Sequence, residues 1–157
     1  MKKNSLKTVL ATLMIAFIVS CEESNETSEE LTNYQTYGGH RYAKTSDKYT
    51  WNDAKQFAEQ QGGYLVIIDS QEENDFIHET YRIPLNIVGD ILWIGLSDVA
   101  EEGTFRWVNG EIAIFTNWAE SEPNNDNNIQ HYGHMLQDGT WDDVEVTNCL
   151  AIIEFDN

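Results

Sequence analysis

The chain has 157 residues, room for one domain but hardly for two. Its 9 Lys and Arg stand against 27 Asp and Glu, a formal charge of −18, so no basic surface exists for a phosphate backbone and nucleic acid is excluded as a partner. Five Trp, seven Tyr and six Phe can fill a core, whereas two cysteines cannot make a disulfide framework.

Lys2, Lys3 and Lys7 precede an apolar run from Val9 to Val19. Such a run has the length of a secretory signal and is too short to span a membrane. It closes on Ile18-Val19-Ser20-Cys21, which resembles the lipobox of bacterial lipoproteins. That resemblance implies a signal peptide over residues 1–20, lipidation of Cys21 and a surface-exposed outer-membrane lipoprotein of the cell envelope, anchored to the membrane through lipid only. An ordinary signal peptide with an incidental cysteine is the alternative. Cleavage would leave 6 basic residues against the same 27 acids. Residues 21–32 are acidic and polar, an expected disordered tether, and the domain is expected over residues 33–157.

Thr50-Trp51-Asn52-Asp53 reads as a helix start, with Thr50 as cap and Asp53 in the first turn. Trp51, Ala54, Phe57 and Ala58 then share one face, and Gly62-Gly63 stops the helix. Tyr64 to Ile68 is an expected strand. Ser70-Gln71-Glu72-Glu73 is a second capping box, opening a helix with Phe76 and Ile77 inward. Ile91 to Leu96 is an expected buried strand. Thr104 to Val108 and Glu111 to Phe115 flank the hairpin signal Asn109-Gly110. Asn117 to Asn128 is long and irregular, the kind of segment that carries function. Leu150 to Phe155 is the expected last strand. Two helices followed by several strands indicate an α+β domain.

The irregular segment is rich in oxygen donors. Glu122, Asn124, Asn125, Asp126, Asn127 and Asn128 crowd around Pro123, and Trp141-Asp142-Asp143 adds two carboxylates. Calcium takes six to eight oxygen ligands of these types, whereas soft or nitrogen ligands are scarce here. A solvated, asparagine-rich loop would have the same composition.

Several motifs decide between these readings. Gly39-His40-x-Tyr42, Trp51-x-x-Ala54, Gly62-Gly63-x-Leu65 and Glu72-Glu73-Asn74 resemble the first half of bacterial C-type lectin-like domains. Trp93-Ile94-Gly95-Leu96 is similar to that family's WIGL motif, Glu122-Pro123-Asn124 to its EPN motif, Trp141-Asp142-Asp143 to its WND motif, and Ile153-Glu154-Phe155 to its closing strand. The resemblance spans Tyr37 to Phe155 and implies a C-type lectin-like fold of two helices, antiparallel sheets and a long calcium-binding loop. It implies calcium as cofactor, held by Glu122, Asn124, Gln130, Asp142 and Asp143. It also implies a cis Glu122–Pro123 bond and a glycan partner whose vicinal hydroxyls meet Glu122, Asn124, Gln130 and Asp142. The order of EPN implies mannose- or glucose-type hydroxyl pairs. An auxiliary metal site would use Asp98, Glu102 and Asn125, and is expected to be weak or empty.

The chain departs from the family pattern in places. Gln130 stands where a Glu is expected and Asp142 where an Asn is expected, so the two exchange types and the number of carboxylates is kept. Either the swap is compensated, with Asp142 accepting and Gln130 donating, or the site has decayed. The four positions of the family's disulfides are Ala58 with Ile153 and Tyr132 with Val146; Cys149 matches none and is expected to be a buried core residue. His131 and His134, three apart in an expected strand, point to opposite faces, so polar roles are expected rather than shared zinc. Trp118 and Trp141 are expected core anchors, and Tyr132 or His131 an additional sugar contact. No nucleophile elbow, phosphate loop or zinc-protease motif is present, so the protein is not expected to be an enzyme. The functional expectation is a calcium-dependent carbohydrate-binding surface protein for adhesion or glycan capture, clustered or homo-oligomeric for avidity. A protein-binding or adhesive domain on the same scaffold, with structural or no calcium, is the alternative.

Overall fold

The computed structural model describes residues 31–81 and 91–156. The expected signal peptide, Cys21 and most of the expected tether lie outside those residues. In chain order the elements are β1 (Leu31–Tyr37), β2 (His40–Thr45), α1 (Trp51–Gln60), β3 (Tyr64–Leu65), α2 (Gln71–Tyr81), β4 (Leu92–Ser97), β5 (Arg106–Trp107), a 3-10 turn (Asp126–Asn128), β6 (Tyr132–Met135), β7 (Trp141–Val144) and β8 (Leu150–Phe155). Strand β1 takes in Leu31 and Thr32, the end of the expected tether: both pair with β2, Leu31 opposite Thr45.

The strands run side by side in the order β1-β2-β8-β4-β6-β7, with β3 on β8 and β5 on β4. The pairs are antiparallel except β4 with β8, which are parallel with Leu92 opposite Leu150. A parallel pair needs a long connection. Here the irregular loop, β6 and β7 all lie between the two strands, so the calcium-candidate loop is an excursion from the middle of the sheet.

Thr50 caps α1 by accepting from the Asp53 N–H at 3.2 Å, and Trp51, Ala54, Phe57 and Ala58 are its buried residues. Gly62 ends the turn after it at φ +81°, a conformation that suits glycine. Ser70 Oγ accepts from Glu73 N at 3.3 Å at the start of α2. The Glu73 carboxylate does not close the box onto Ser70. It accepts instead from Asp69 N at 3.0 Å and from the Tyr42 hydroxyl at 2.6 Å, which ties α2 to β2.

The expected strand from Tyr64 to Ile68 pairs only at Tyr64 and Leu65. Beyond them Val66 N still donates to Ile152 O at 3.0 Å, and at Ile67 the N–H turns to the buried Glu154 carboxylate at 3.0 Å, so a side chain takes the place of the ladder there. The expected hairpin is likewise reduced to β5 and a bridge from Arg106 to Ile112, with Trp107 N donating to Glu111 O at 2.9 Å. Ile112 and Ile114 point outward, while Ala113 and Phe115 between and beyond them pack against the core.

Three indoles fasten the core. Trp51 Nε1 donates to Ile94 O at 2.8 Å, Trp93 Nε1 to Tyr49 O at 2.8 Å, and Trp141 Nε1 to Asn74 Oδ1 at 2.7 Å. At Gly95 a Cβ would come within 2.6 Å of Leu65 O and 2.8 Å of Val66 O, so only glycine lets β4 approach that backbone. Ala58 and Ile153, the expected family disulfide positions, are fully buried in one apolar cluster with Phe57 and Phe155. Cys149 is buried beside Trp51 and Trp93, as a small core residue.

Candidate metal centre

The loop is built onto β7. Trp141 N donates to Asn117 O and Ala119 N to Trp141 O, both at 2.8 Å, which fixes where the loop leaves the sheet. Ser121, Asn125, Asn127 and Asn128 take positive φ, a conformation asparagine tolerates better than most residues. The Glu122–Pro123 bond is cis. Asp143 is buried and holds the loop from below: its two oxygens accept from Asn124 N at 2.9 Å and Asn125 N at 3.0 Å.

Glu122, Asp142 and Asp143 each turn a carboxylate oxygen to one place, within 4.8 Å of one another. The Asn124 amide donates to Glu122 Oε1 at 2.8 Å. The Gln130 amide oxygen accepts from the Asp126 N–H, and Gln130 N donates to Asn125 Oδ1 at 3.1 Å, so Gln130 serves the loop backbone. Among the described residues, Glu122 Oε2 and Asp142 Oδ1 are buried and have no hydrogen-bond partner. Buried anionic oxygens without a donor are costly, and hard oxygen atoms grouped in this way are what calcium takes. The set therefore fits a calcium ion.

The electrostatics agree. Burial, then the neighbouring Glu122 charge, pushes the Asp142 carboxyl up to about 6. His134 lies behind it, with Nε2 3.9 Å from Asp142 Oδ2, but burial pushes its imidazole down to about 4. His134 is thus neutral near pH 7 and offers no compensating charge. A carboxyl raised above its usual value takes up a proton as pH falls, which favours the metal-free fold in acid, and Glu154, pushed up to about 7 by burial, acts in the same direction. Of the two, only Asp142 lies among the oxygens that could take a cation. The calcium-induced rise in melting temperature is accordingly expected to shrink between pH 7.5 and pH 5, while the metal-free protein gains from both groups. Scanning calorimetry at both pH values checks this, and an increment independent of pH would count against Asp142 as a ligand.

The auxiliary residues meet on the other side of Asn125. Asp98 is buried, its Oδ2 accepting from Gly103 N at 2.8 Å. The Asn125 amide donates to Glu102 Oε1. His131 joins them, which sequence reasoning missed: its Nδ1 lies 3.0 Å from Asp98 Oδ1 and 3.5 Å from Glu102 Oε2. Its position just ahead of β6, next to Gln130, was the available signal. Of the expected sugar contacts, Tyr132 is buried under Trp51 and Trp93, which leaves His131 as the accessible one of the two. Trp141 is fully buried and Trp118 packs against it, both as core anchors.

Comparison with known proteins gives a consistent result. The chain matches the family described as Lectin C-type domain over residues 47–153. It is 35% identical to Lectin BRA-3 of Megabalanus rosa over 148 residues, 91% of this chain and 86% of that protein. It is 33% identical to the alpha-N-acetylgalactosamine-specific lectin of Patiria pectinifera, with 74% of each chain covered. Among solved structures, C-type lectin CEL-I from Cucumaria echinata is similar with a TM-score of 0.72 and 26% identity, covering 78% of this chain and 94% of that one.

Proposed function

The chain belongs to the C-type lectin domain family, and from that premise we propose that it binds carbohydrate in a calcium-dependent manner through the loop between Asn117 and Asp143. The observation that carries this reading is the pair of buried, unpartnered oxygens on Glu122 and Asp142, facing Asp143. Glu122, Asp142 and Asp143 would hold the ion, with Asn124 as the amide beside them, while the expected ligand Gln130 keeps its amide oxygen on the Asp126 N–H. Bound calcium would supply a hard centre that accepts oxygen atoms beyond those of the protein.

The chain's own side chains then sort the ligand. A carboxylate only accepts, whereas an amide donates through its nitrogen. Glu122 and Asn124 already pair in that sense, so a hydroxyl set between them would have both its proton and its lone pairs satisfied. Asp142 repeats the acceptor for a second hydroxyl. A vicinal diol of the mannose or glucose type fits such a pair. A shallow depression of about 320 Å³ lined by Asp126, Ile129, Gln130 and Val144 lies beside the loop and offers room for a further part of a glycan. Adhesion or glycan capture is the use this reading supports.

A glycan array probed in millimolar calcium is expected to show mannose- or glucose-terminated ligands, with the signal lost on chelation. Binding that survives chelation would contradict the mechanism. No glycan signal in the presence of calcium would favour a protein ligand on the same scaffold.

A further inference from the structure

A cavity of about 700 Å³ opens between the β1–β2 turn, the start of α2, the turn after β5 and β8. None of the loop residues Glu122, Asn124, Gln130, Asp142 and Asp143 lines it. We propose that it is a second binding site, for a small organic cation: an ammonium group carried on an aromatic or alkyl body. The volume is that of a small-molecule site. Its walls are aromatic, from Tyr37, Trp107 and Phe115, and Ile112 and Ile114 stand exposed at its edge.

The charge around the cavity is one-sided. Asp69, Glu73, Glu111 and Glu154 line it, and His40 is the only basic side chain among the described residues that do so. Glu73 and Glu154 are buried. Neutral donors hold them both. Glu73 accepts from the Tyr42 hydroxyl at 2.6 Å and Asp69 N at 3.0 Å, and Glu154 from the Tyr64 hydroxyl at 3.1 Å and Ile67 N at 3.0 Å. Those bonds fix the carboxylates in place and bring no full positive charge. A carboxylate has about four acceptor positions, so two bonds leave capacity for a ligand. Burial pushes both carboxyls up, Glu154 to about 7, as expected of anions short of a counter-charge.

His40 adds an atom that nothing in the fold satisfies. Its Nδ1 lies 2.9 Å from Glu154 Oε1, yet among the described residues it is buried without a hydrogen bond. In the neutral ring Nδ1 can accept, which sets two acceptors side by side with no proton between them. An ammonium offers three N–H donors and a positive charge, so it serves both at once. The aromatic walls then take the body of the same molecule, and a ring face attracts a cation. A bare metal ion fits less well, because the Tyr64 hydroxyl already lies 3.1 Å from Glu154 Oε1 and 2.7 Å from Asp156 Oδ1. An anion would be repelled by the four carboxylates, and an uncharged molecule would leave them uncompensated.

Isothermal titration calorimetry of the protein with phenethylamine tests the proposal, with 2-phenylethanol as the uncharged analogue. One equivalent of the amine is expected to bind, equally in calcium and in chelator, and the alcohol at least about tenfold more weakly. Glu154→Gln keeps the shape of the side chain and removes its charge. Ile112→Lys sets a positive charge at the edge of the cavity, at an exposed position where the fold should tolerate it and the melting temperature should hold. Each is expected to weaken the amine at least about tenfold, and Glu122→Ala to leave it unchanged. No binding of the amine, equal binding of amine and alcohol, binding indifferent to both Glu154→Gln and Ile112→Lys, or binding lost in Glu122→Ala would each overturn the assignment. This reading and that of the loop fail separately, because amine binding is also measured with calcium removed.

Discussion

Saturating calcium is expected to raise the melting temperature of the protein by roughly 10 °C, and Glu122→Gln is expected to abolish the rise. A ligand that binds only the folded state stabilises it by about 2.7 kcal/mol at a hundred times its dissociation constant, and a domain of this size melts about 3–5 °C higher per kcal/mol. Glu122 is the residue to change because one of its oxygens is buried without a donor while the other is held by Asn124. Glutamine keeps the shape and removes the charge. In the absence of calcium the same variant should melt no lower than the wild type, because it relieves the repulsion that, second to burial, pushes the Asp142 carboxyl up. A variant that melts lower without calcium yet keeps its calcium response would show that the carboxylate serves the loop fold and not an ion. Asp142→Asn, measured alongside, separates the two accounts of the exchanged residues. An unaffected calcium affinity would end the compensated-swap account.

Trp141→Ala is expected to cost about 3–5 kcal/mol, a large part of what a domain this size has. The indole is fully buried, and the rings of Trp107, Phe115 and Trp118 stand against it edge-on with centroids 5.7, 5.6 and 5.9 Å away. Its removal leaves a cavity among three aromatic rings and takes the donor from Asn74 Oδ1, a buried acceptor. Urea denaturation checks the loss through the midpoint at unchanged slope. Trp141→Phe should fall between, because it keeps ring contacts and loses the hydrogen bond. A loss under about 1 kcal/mol for the alanine variant would show that the core closes without this residue.

What could be read before the fold was known depended on whether a residue's partner lay nearby in sequence. Thr50 and the Trp51, Ala54, Phe57, Ala58 face placed α1, and Leu150 to Phe155 is β8 at both ends, because capping and burial periodicity act over a few residues. The strand expected to run on to Ile68 stops pairing after Leu65 because Val66 N makes a last backbone bond to Ile152 O and Ile67 N turns to the carboxylate of Glu154, which lies 87 residues away. The apolar residues Ile112 and Ile114 imitated a buried strand while pointing to solvent. In the loop, residue identities named Glu122, Asp142 and Asp143, and the fold brings them together. The orientation of Gln130 and the approach of His131 to Asp98 depend on turns at Asn125, Asn127 and Asn128 that no spacing encodes.

The packing of Trp118 on Trp141 beneath the loop has a practical consequence. An indole's fluorescence follows the polarity and rigidity around it, and Trp118 is the half-buried member of this pair, seated where the loop leaves β7. Trp51 and Trp93 are buried in a separate cluster in the body of the domain and contribute a steady background. The loop therefore carries its own optical reporter, and its ordering can be followed by intrinsic emission without a dye or an engineered label.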